Sequence, residues 1–293
     1  MINNRKIPVN QTKLVAGSEK KVKIKEIFSS IQGEGPYVGY KQLFIRFCGC
    51  NLNCNYCDTD FKFESGYKEF CSKELEDEVN KYTDIHSISL TGGEPLLYAD
   101  FLKEFLPAIN KPIYLETNAT LPDKFLEIKP FIDIVSADIK LESATGINTF
   151  ELHDKFFEAC RGVETFAKIV FNENITDDEI LKCCELGKKY GIELILQPET
   201  VSGEQRAGSQ EGRPLSDNWM YGGMDVRQFN NSNISKIQQK QQIDKDLTSY
   251  RPNILSSNMS VSSAFSEQIL DKFLQNYEKV RLIPQVHKFL NVR

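Results

Sequence analysis

The sequence has 293 residues, of which 40% are hydrophobic and 26% charged, and its formal net charge is −5. This composition suits one large α/β domain with a substantial core, and the negative charge gives no indication of direct nucleic-acid binding. No run of about eighteen apolar residues predicts a membrane span, and residues 1–13 lack the apolar stretch of a signal peptide. We therefore expect a cytoplasmic protein with reduced thiols.

Hydrophobic periodicity, turn residues and capping residues predict the secondary structure. In chain order we predict a strand over 22–28, a glycine-rich loop over 29–41, a strand over 42–47, a helix over 74–82 with Ser72 as its N-cap, a strand over 85–90, a helix over 101–109, a strand over 113–116, a short helix over 125–128, strands over 132–137 and 166–171, a helix over 176–190, a strand over 192–197, a helix over 264–277 and a strand over 280–283. The repeated strand–helix units predict a parallel sheet with right-handed crossovers.

The helix over 176–190 has the clearest end signals. Thr176 with Glu179 predicts a capping box at its beginning, and Gly191 predicts its end.

Two segments differ in composition from the rest of the chain. Residues 1–20 are polar and are interpreted as a leader that precedes one domain over 21–293. Residues 203–262 are rich in Gln, Asn and Ser, and they predict a polar, partly disordered insertion. We assign no role to Trp219, which lies inside this insertion.

Four of the eight cysteines lie within ten residues, which in a reducing compartment indicates a metal site or a catalytic site. Cys50, Cys54 and Cys57 can face one inorganic cluster from a single tight loop, and iron–sulfur clusters are held by cysteine thiolates. A zinc site would require a fourth Cys or His, for which Cys71 is the candidate. The residues alone are therefore compatible with an iron–sulfur cluster with one open iron, with a zinc knuckle and with unrelated core thiols.

The pattern CxxxCxxC, with aromatic Tyr56 before the third cysteine, resembles the signature loop of radical S-adenosylmethionine (SAM) enzymes. The sequence TGGEP at residues 91–95 resembles the GGE motif of the same enzymes. This resemblance implies a [4Fe-4S] cluster on Cys50, Cys54 and Cys57, with SAM bound to the remaining iron. One-electron cleavage of SAM then gives methionine and a 5′-deoxyadenosyl radical.

Seven segments resemble, in the same order, the 7-carboxy-7-deazaguanine synthase family of queuosine biosynthesis. They cover residues 26–39, 44–61, 90–97, 115–120, 133–143, 196–200 and 280–290. The resemblance implies a lyase that converts 6-carboxy-5,6,7,8-tetrahydropterin to 7-carboxy-7-deazaguanine and ammonia, using SAM and Mg²⁺. Hydrogen abstraction from pterin C6 would begin the reaction, and Mg²⁺ would favour the ring contraction.

The family's site residues are carried over onto matching positions. The resemblance implies substrate contacts at Ile31, Gln32, Gly33, Arg46, Thr91 and His287, with Glu34 as an additional candidate. It implies SAM contacts at Gly93, Glu94, Ser136, Asp138, Ile139, Lys140, Gln197, Pro198, Glu199 and Thr200. It also implies Thr59 as a Mg²⁺ ligand, because a hydroxyl is a suitable hard-oxygen donor.

Several of these residues also have ordinary structural interpretations. Arg46 could be a solvated strand arginine, and Asp138 with Lys140 could form a structural ion pair. A lone histidine such as His287 is more often structural than functional. The polar segment after Thr200 has no counterpart in the family and leaves the local geometry there open.

The resemblance implies an incomplete parallel (β/α) barrel of the radical SAM type, with the cluster at the carboxyl edge of the strands. It also implies a homodimer and an electron donor such as flavodoxin or ferredoxin, with no membrane partner.

Two alternative functions stay open at this point. One is another radical SAM enzyme, such as a glycyl-radical activating protein, and the other is a non-catalytic zinc or iron–sulfur module.

Overall fold

A computed structural model of the chain describes residues 20–54, 57, 66–200 and 261–290. Tyr56 and Thr59 lie outside the described residues, as do nearly all of the predicted leader and most of the insertion over 203–262. Within the described residues, no helix has the length and apolar character that crossing a bilayer requires.

The described strands form one nine-stranded sheet in the order β3-β1-β2-β4-β5-β6-β7-β8-β9. Their bounds are β1 Val22–Ile31, β2 Lys41–Phe47, β3 Lys68–Phe70, β4 Ser87–Gly92, β5 Ile113–Thr117, β6 Ile134–Ile139, β7 Glu164–Phe171, β8 Glu193–Pro198 and β9 Val280–Leu282. Strand β1 pairs antiparallel with β2 and β3, and the strands from β2 through β4 to β9 pair parallel.

Helices follow most of the parallel strands. Their bounds are α1 Ser72–Val79, α2 Ala99–Phe105, α3 Pro122–Ile128, α4 Glu142–Thr145, α5 Phe150–Ala159, α6 Asp177–Tyr190, α7 Ser263–Leu274 and α8 Val286–Leu290. Short 3₁₀ turns occupy Gly35–Tyr37, Pro95–Tyr98, Leu106–Ala108 and Lys129–Phe131. The repeated strand–helix connections bury the outer face of the sheet under helices.

Alternate residues of the parallel strands serve two different environments. In β2, Leu43, Ile45 and Phe47 are fully buried in the large core cluster that also includes the helix residues Phe125 and Phe156. The intervening inward residues fill the interior of the sheet, where a smaller cluster of Tyr114, Ile134, Phe166 and Ile195 lies near the amino ends of the strands. Because side chains alternate along a strand, this pattern leaves the inward positions nearer the carboxyl ends for polar groups.

Contacts between distant strands show that the sheet curls. The Tyr37 hydroxyl, in the loop between β1 and β2, donates to Glu164 Oε1 at the beginning of β7 at 2.6 Å. Val286 N, beyond β9, donates to Gly33 O at 2.9 Å. The curled, mostly parallel sheet with outer helices confirms the predicted incomplete (β/α) barrel.

The predicted strands are present with end shifts of one to three residues, but several helix details differ. Cys71, and not the predicted Ser72, is the N-cap of α1, because Cys71 N donates to Glu74 Oε2 at 2.9 Å. Strand β3 and helices α4, α5 and α8 were not predicted. In α6 the capping box of Thr176 and Glu179 and the left-handed C-cap at Gly191 are confirmed.

The α6 cap gives a stability prediction. Thr176→Ala removes the hydroxyl that accepts from Glu179 N at 3.2 Å, so we expect a loss of about 1 kcal/mol in the free energy of unfolding. Chemical denaturation of the purified protein measures this loss. Thr176→Ser keeps the hydroxyl and should stay close to wild type; an equal loss in both variants would contradict the capping role.

Candidate active site

A cavity of about 230 Å³ opens at the carboxyl ends of the parallel strands. It brings together most of the residues that the sequence predicts for the site. The predicted residues that line it are Ile31, Gln32, Gly33, Glu34, Arg46, Cys50, Cys54, Cys57, Thr91, Gly93, Asp138, Lys140, Gln197, Pro198, Glu199, Thr200 and His287. Ligand sites of parallel α/β sheets are found at this edge.

Among the described residues, three predicted site residues do not line the cavity. Ile139 is 1% exposed and belongs to the outer core cluster, because its neighbour Asp138 takes the inward position. Ser136 is fully buried below the cavity, nearer the amino end of β6. The side chain of Glu94 is also fully buried and faces the protein. Direct side-chain contacts from these residues to a ligand in the cavity are therefore not supported by this geometry.

The loop that carries the cysteines is held by the turn after β4. Gly93 N donates to Phe47 O at 3.0 Å, and Glu94 N donates to Gly49 O at 2.9 Å. A Cβ atom on Gly93 would lie 1.8 Å from Gly49 O, so only glycine permits this approach. The TGGEP sequence thus serves packing against the cysteine loop in addition to any contact with a ligand.

The Glu94 carboxylate fastens this turn to the end of β5. It accepts from Leu96 N at 3.0 Å, from the Thr117 hydroxyl at 2.9 Å and from Asn118 N at 2.8 Å. Complete burial raises the pKa of Glu94 to about 7, although these hydrogen bonds oppose the shift. Glu94 therefore joins β4, β5 and the cysteine loop from beneath the cavity.

The three cysteines share one part of the cavity lining. Burial is the main cause that raises the pKa of Cys50 and Cys54, so iron binding at these thiols would release protons. Within the described residues, no three His, Cys, Asp or Glu side chains converge closely enough to hold a single metal ion. Each thiolate of an iron–sulfur cluster binds a different iron, so a shared wall is the arrangement that a cluster requires.

Glu116 is a central residue that the sequence analysis missed. It lies at an inward position of β5, one residue before the Thr117 that bonds Glu94. Its carboxylate accepts from Gln32 Nε2 at 3.0 Å and from the Thr91 hydroxyl at 3.0 Å. These donors hold one acceptor group in a fixed orientation in the cavity wall. Glu116 lies within the segment 115–120 that resembles the family, and its inward position on β5 was the sequence signal for a site residue.

A cationic and aromatic wall lies beside Glu116. The Arg46 guanidinium is 5.3 Å from the centroid of the Phe28 ring, and the Phe28 and Phe44 rings stack at 5.2 Å. Arg46 Nε also lies 3.2 Å from Glu26 Oε1. These contacts with Phe28 and Glu26 fix the Arg46 side chain in the cavity wall, so it is not a solvated strand arginine.

Lys168 forms a buried ion network that the sequence analysis also missed. Its Nζ donates to Glu34 Oε2 at 2.5 Å and lies 3.4 Å from Asp138 Oδ1. Burial opposes ionisation of Glu34, but the charge of Lys168 and the hydrogen bonds from Lys168 and Gln285 lower the pKa of Glu34 to about 2. The network connects the glycine-rich loop to the end of β6. A single lysine at an inward position of an apolar strand was the signal for it.

His287 contacts the glycine-rich loop from the C-terminal side. A Cβ atom on Gly33 would lie 2.3 Å from His287 Nδ1, so the histidine packs directly against this glycine. Beside it, Gln285 Nε2 donates to Glu34 Oε1 at 2.6 Å. The C-terminal segment therefore completes the cavity wall.

His153 positions the end of β6 from behind the cavity. Lys140 N donates to His153 Nε2 at 3.0 Å, so this nitrogen is an acceptor and Nδ1 carries the proton toward Ala119 O at 3.2 Å. Burial lowers the pKa of His153 to about 4, so the ring stays neutral in the folded protein. The histidine thus joins the loop after β5 to Lys140.

This burial predicts a pH dependence of stability. The pKa of His153 is about 4 in the folded protein and 6.5 for an ordinary histidine, so the unfolded chain binds more protons between these values. We expect this residue to account for a loss of about 2 kcal/mol in the unfolding free energy from pH 7 to pH 5. Denaturation of metal-free protein across this range measures it. His153→Gln should flatten the pH dependence, while His86→Gln, at the opposite end of the barrel, should largely retain it.

Comparisons with known proteins indicate the family of the chain. The Radical SAM superfamily profile matches residues 44–198, which include the cysteine loop and strands β4 to β8. A 7-carboxy-7-deazaguanine synthase from Archaeoglobus fulgidus is 40% identical over 59% of this chain and 82% of the relative. One from Methanothermobacter thermautotrophicus is 48% identical over 60% of this chain and 81% of the relative.

Among solved structures, QueE from Escherichia coli matches 61% of this chain and 83% of its own, at 22% identity and a TM-score of 0.45. That likeness is too low to add to the topology described above. The profile and the curated relatives carry the assignment, since the profile match includes the cysteine loop and the relatives are matched over most of their length. The chain therefore belongs to the 7-carboxy-7-deazaguanine synthase family of the radical SAM superfamily.

Proposed function

We propose that this chain is a radical SAM lyase that converts 6-carboxy-5,6,7,8-tetrahydropterin to 7-carboxy-7-deazaguanine and ammonia. One observation carries the proposal: the three cysteines and a set of fixed polar groups suited to a pterin line the same cavity. The family assignment supports the same reaction and does not favour the alternative of a glycyl-radical activating protein.

The cofactor end of the cavity is built around the cysteines. Cys50, Cys54 and Cys57 would hold a [4Fe-4S] cluster, and bound SAM would supply radical chemistry for hydrogen abstraction from the substrate. Gln197 Nε2 is buried without a hydrogen-bond partner, and it lines the cavity as a donor suited to an acceptor on SAM. Asp138, Lys140 and the residues from Pro198 to Thr200 complete this wall.

The substrate end presents groups complementary to a carboxylated pterin. Glu116 offers a carboxylate to the N–H groups of the aminopyrimidinone ring, and Gln32 and Thr91 hold that carboxylate in place. Arg46 offers a planar guanidinium to the substrate carboxylate. Phe28 and Phe44 provide an apolar face on which a flat heterocycle can lie.

The ion pair of Lys168 and Glu34 fixes the charges inside the cavity. Lys168 keeps its Nζ protonated, because Asp138 and Glu34 raise its pKa well above the ordinary value against the effect of burial. Its positive charge holds Glu34, and through Gln285 it also steadies the C-terminal wall that carries His287. These residues orient the substrate and exclude water, while the reactive chemistry belongs to the cofactor.

Other parts of the proposal rest on the family resemblance. Thr59 and the substrate would bind Mg²⁺, and a reduced flavodoxin or ferredoxin would supply the electron. The enzyme would act as a cytoplasmic homodimer in queuosine biosynthesis, which supplies a tRNA modification.

The decisive experiment is anaerobic incubation of the reconstituted protein with SAM, Mg²⁺, a reductant and 6-carboxytetrahydropterin. We expect 7-carboxy-7-deazaguanine and ammonia by mass spectrometry and ammonia assay, and no product from Cys50→Ala, Cys54→Ala or Cys57→Ala. Product from any of these variants, or a protein that holds only zinc, would overturn the proposal.

A second prediction concerns recognition of the substrate. Glu116→Gln replaces a charged acceptor by an amide, so we expect kcat/KM for the pterin to fall by roughly 10- to 100-fold, from the energy of hydrogen bonds to charged groups. Steady-state kinetics measure the change. Glu164→Gln is the matched control, because this carboxylate bonds Tyr37 at the opposite end of the barrel. An unchanged kcat/KM in Glu116→Gln would exclude substrate recognition by this carboxylate.

A further inference from the structure

The side chain of Asn118 lies directly beside the first cysteine of the CxxxCxxC loop. Asn118 Nδ2 is 3.7 Å from Cys50 Sγ in hydrogen-bonding geometry. The backbone N–H of Leu52 also donates to this sulfur at 3.4 Å. Asn118 is 5% exposed, so water does not compete strongly for its amide group. The Cys50 sulfur thus accepts hydrogen bonds from one side chain and from the backbone of its own loop.

The orientation of the Asn118 amide follows from its other contacts. Thr120 N lies 3.2 Å from Asn118 Oδ1, and a backbone N–H can only donate. The amide oxygen must therefore face Thr120, which directs the NH₂ group toward Cys50 and toward Asn51 Oδ1 at 2.8 Å. A flipped amide would set two donors against each other at Thr120 and would leave the sulfur without this donor.

A closed ring of hydrogen bonds fixes this orientation. Asn118 donates to Asn51, Asn51 Nδ2 donates to the Thr120 hydroxyl at 2.9 Å, and that hydroxyl donates to Asn118 Oδ1 at 2.6 Å. The ring joins the cysteine loop to the loop after β5. The NH₂ group and the oxygen of the Asn118 amide all take part in hydrogen bonds in this arrangement. Any other orientation of the side chain would lose some of these bonds.

The backbone of the same loop is also held. Asn118 N donates to the buried Glu94 carboxylate, and Ala119 adopts a left-handed φ of 54°. His153 donates to Ala119 O from the opposite side. A non-glycine residue in this conformation costs free energy, so the surrounding contacts must impose it. The donor to Cys50 is therefore fixed through both its side chain and its backbone.

We propose that Asn118 tunes the reduction potential of the cluster by donating its amide N–H to the sulfur of Cys50. The proposal rests on the presence of the cluster that the proposed function requires. Reduction adds negative charge to a cluster and its thiolate ligands, and a hydrogen bond to a ligating sulfur stabilises the more negative state. Asn118 thus raises the midpoint potential and makes the cluster easier for a given donor to reduce.

The test measures the midpoint potential of the reconstituted protein by redox titration followed by electron paramagnetic resonance, without SAM or pterin. Asn118→Ala removes the donor, and we expect the reduction equilibrium to shift about two- to tenfold against the reduced cluster, the value of one hydrogen bond. A tenfold shift corresponds to about 59 mV for a one-electron couple. Iron and sulfide content should equal that of wild type.

Two further variants separate tuning from a structural role. Asn118→Asp keeps the shape but replaces the donor by a negative charge, and it should lower the potential further than Asn118→Ala. Thr120→Ser keeps the ring hydroxyl and should leave the potential at the wild-type value. A reduced cluster content with an unchanged potential in Asn118→Ala would overturn the proposal and indicate a structural role alone.

A spectroscopic measurement makes the test independent of how well the variants fold. Wild-type protein labelled with ¹⁵N at the asparagine side-chain amide should show a ¹⁵N coupling to the reduced cluster by electron–nuclear double resonance. Absence of that coupling would overturn the proposal. Because neither measurement uses the pterin, failure of the lyase assay and failure of the tuning role remain distinguishable.

Discussion

The site depends on a backbone contact that leaves no room for a side chain. Gly92 is the last residue of β4 and Gly93 follows it, and both lie directly against the backbone of Phe47 and Gly49. A Cβ atom on either glycine would clash with main-chain atoms. Two backbone hydrogen bonds close this contact. The cysteine loop is consequently anchored to the neighbouring parallel strand, and the buried carboxylate of Glu94 extends the anchor to the end of β5.

Side chains alternate along the parallel strands, so the residues of the candidate site lie on the inward face and those of the main core lie on the outward face. Outward residues such as Leu43 and Ile169 form the core under the helices. Inward residues near the amino ends close the bottom of the barrel with aromatic and aliphatic groups. The inward positions that remain include Glu116, Asp138 and Lys168, which lie toward the carboxyl ends. Lys168 pairs with Asp138, and Glu116 accepts hydrogen bonds from neutral side chains. A polar cavity at this depth is stable because its charges are paired or hydrogen-bonded.

Much of this architecture was predictable from local sequence. The strands, the capped helix α6 and the cysteine loop depend on short-range periodicity and on turn residues. Strand β3 was missed because three residues, Lys68–Phe70, carry too little periodicity and pair only through the distant strand β1. Helix α5 was missed although its buried residues His153, Phe156 and Phe157 recur at helical spacing. The mixed polar sequence around them weakened that signal.

The structure brings together in one cavity the predicted site residues of the local motifs, whereas side-chain direction places a few others away from it. Glu94 was expected to face the cofactor, but its carboxylate is needed to satisfy donors beneath the turn. The roles of Lys168 and Asn118 depend on partners far along the chain, Glu34 and Cys50 respectively. The inward strand position of Lys168 marks it as a candidate, but its partner and that of Asn118 are known only once the strands have assembled.

The hydrogen bond between Gln285 and Glu34 joins residues that are 251 positions apart. Contacts of such separation cost more loop-closure entropy than local contacts, so we expect them to form later in folding. The cysteine loop, by contrast, is anchored by residues that lie no more than 69 positions away along the chain. During biogenesis the thiols would thus take up their arrangement while the opposite wall is still open, which leaves a route for iron and sulfide before the last segment encloses the chamber.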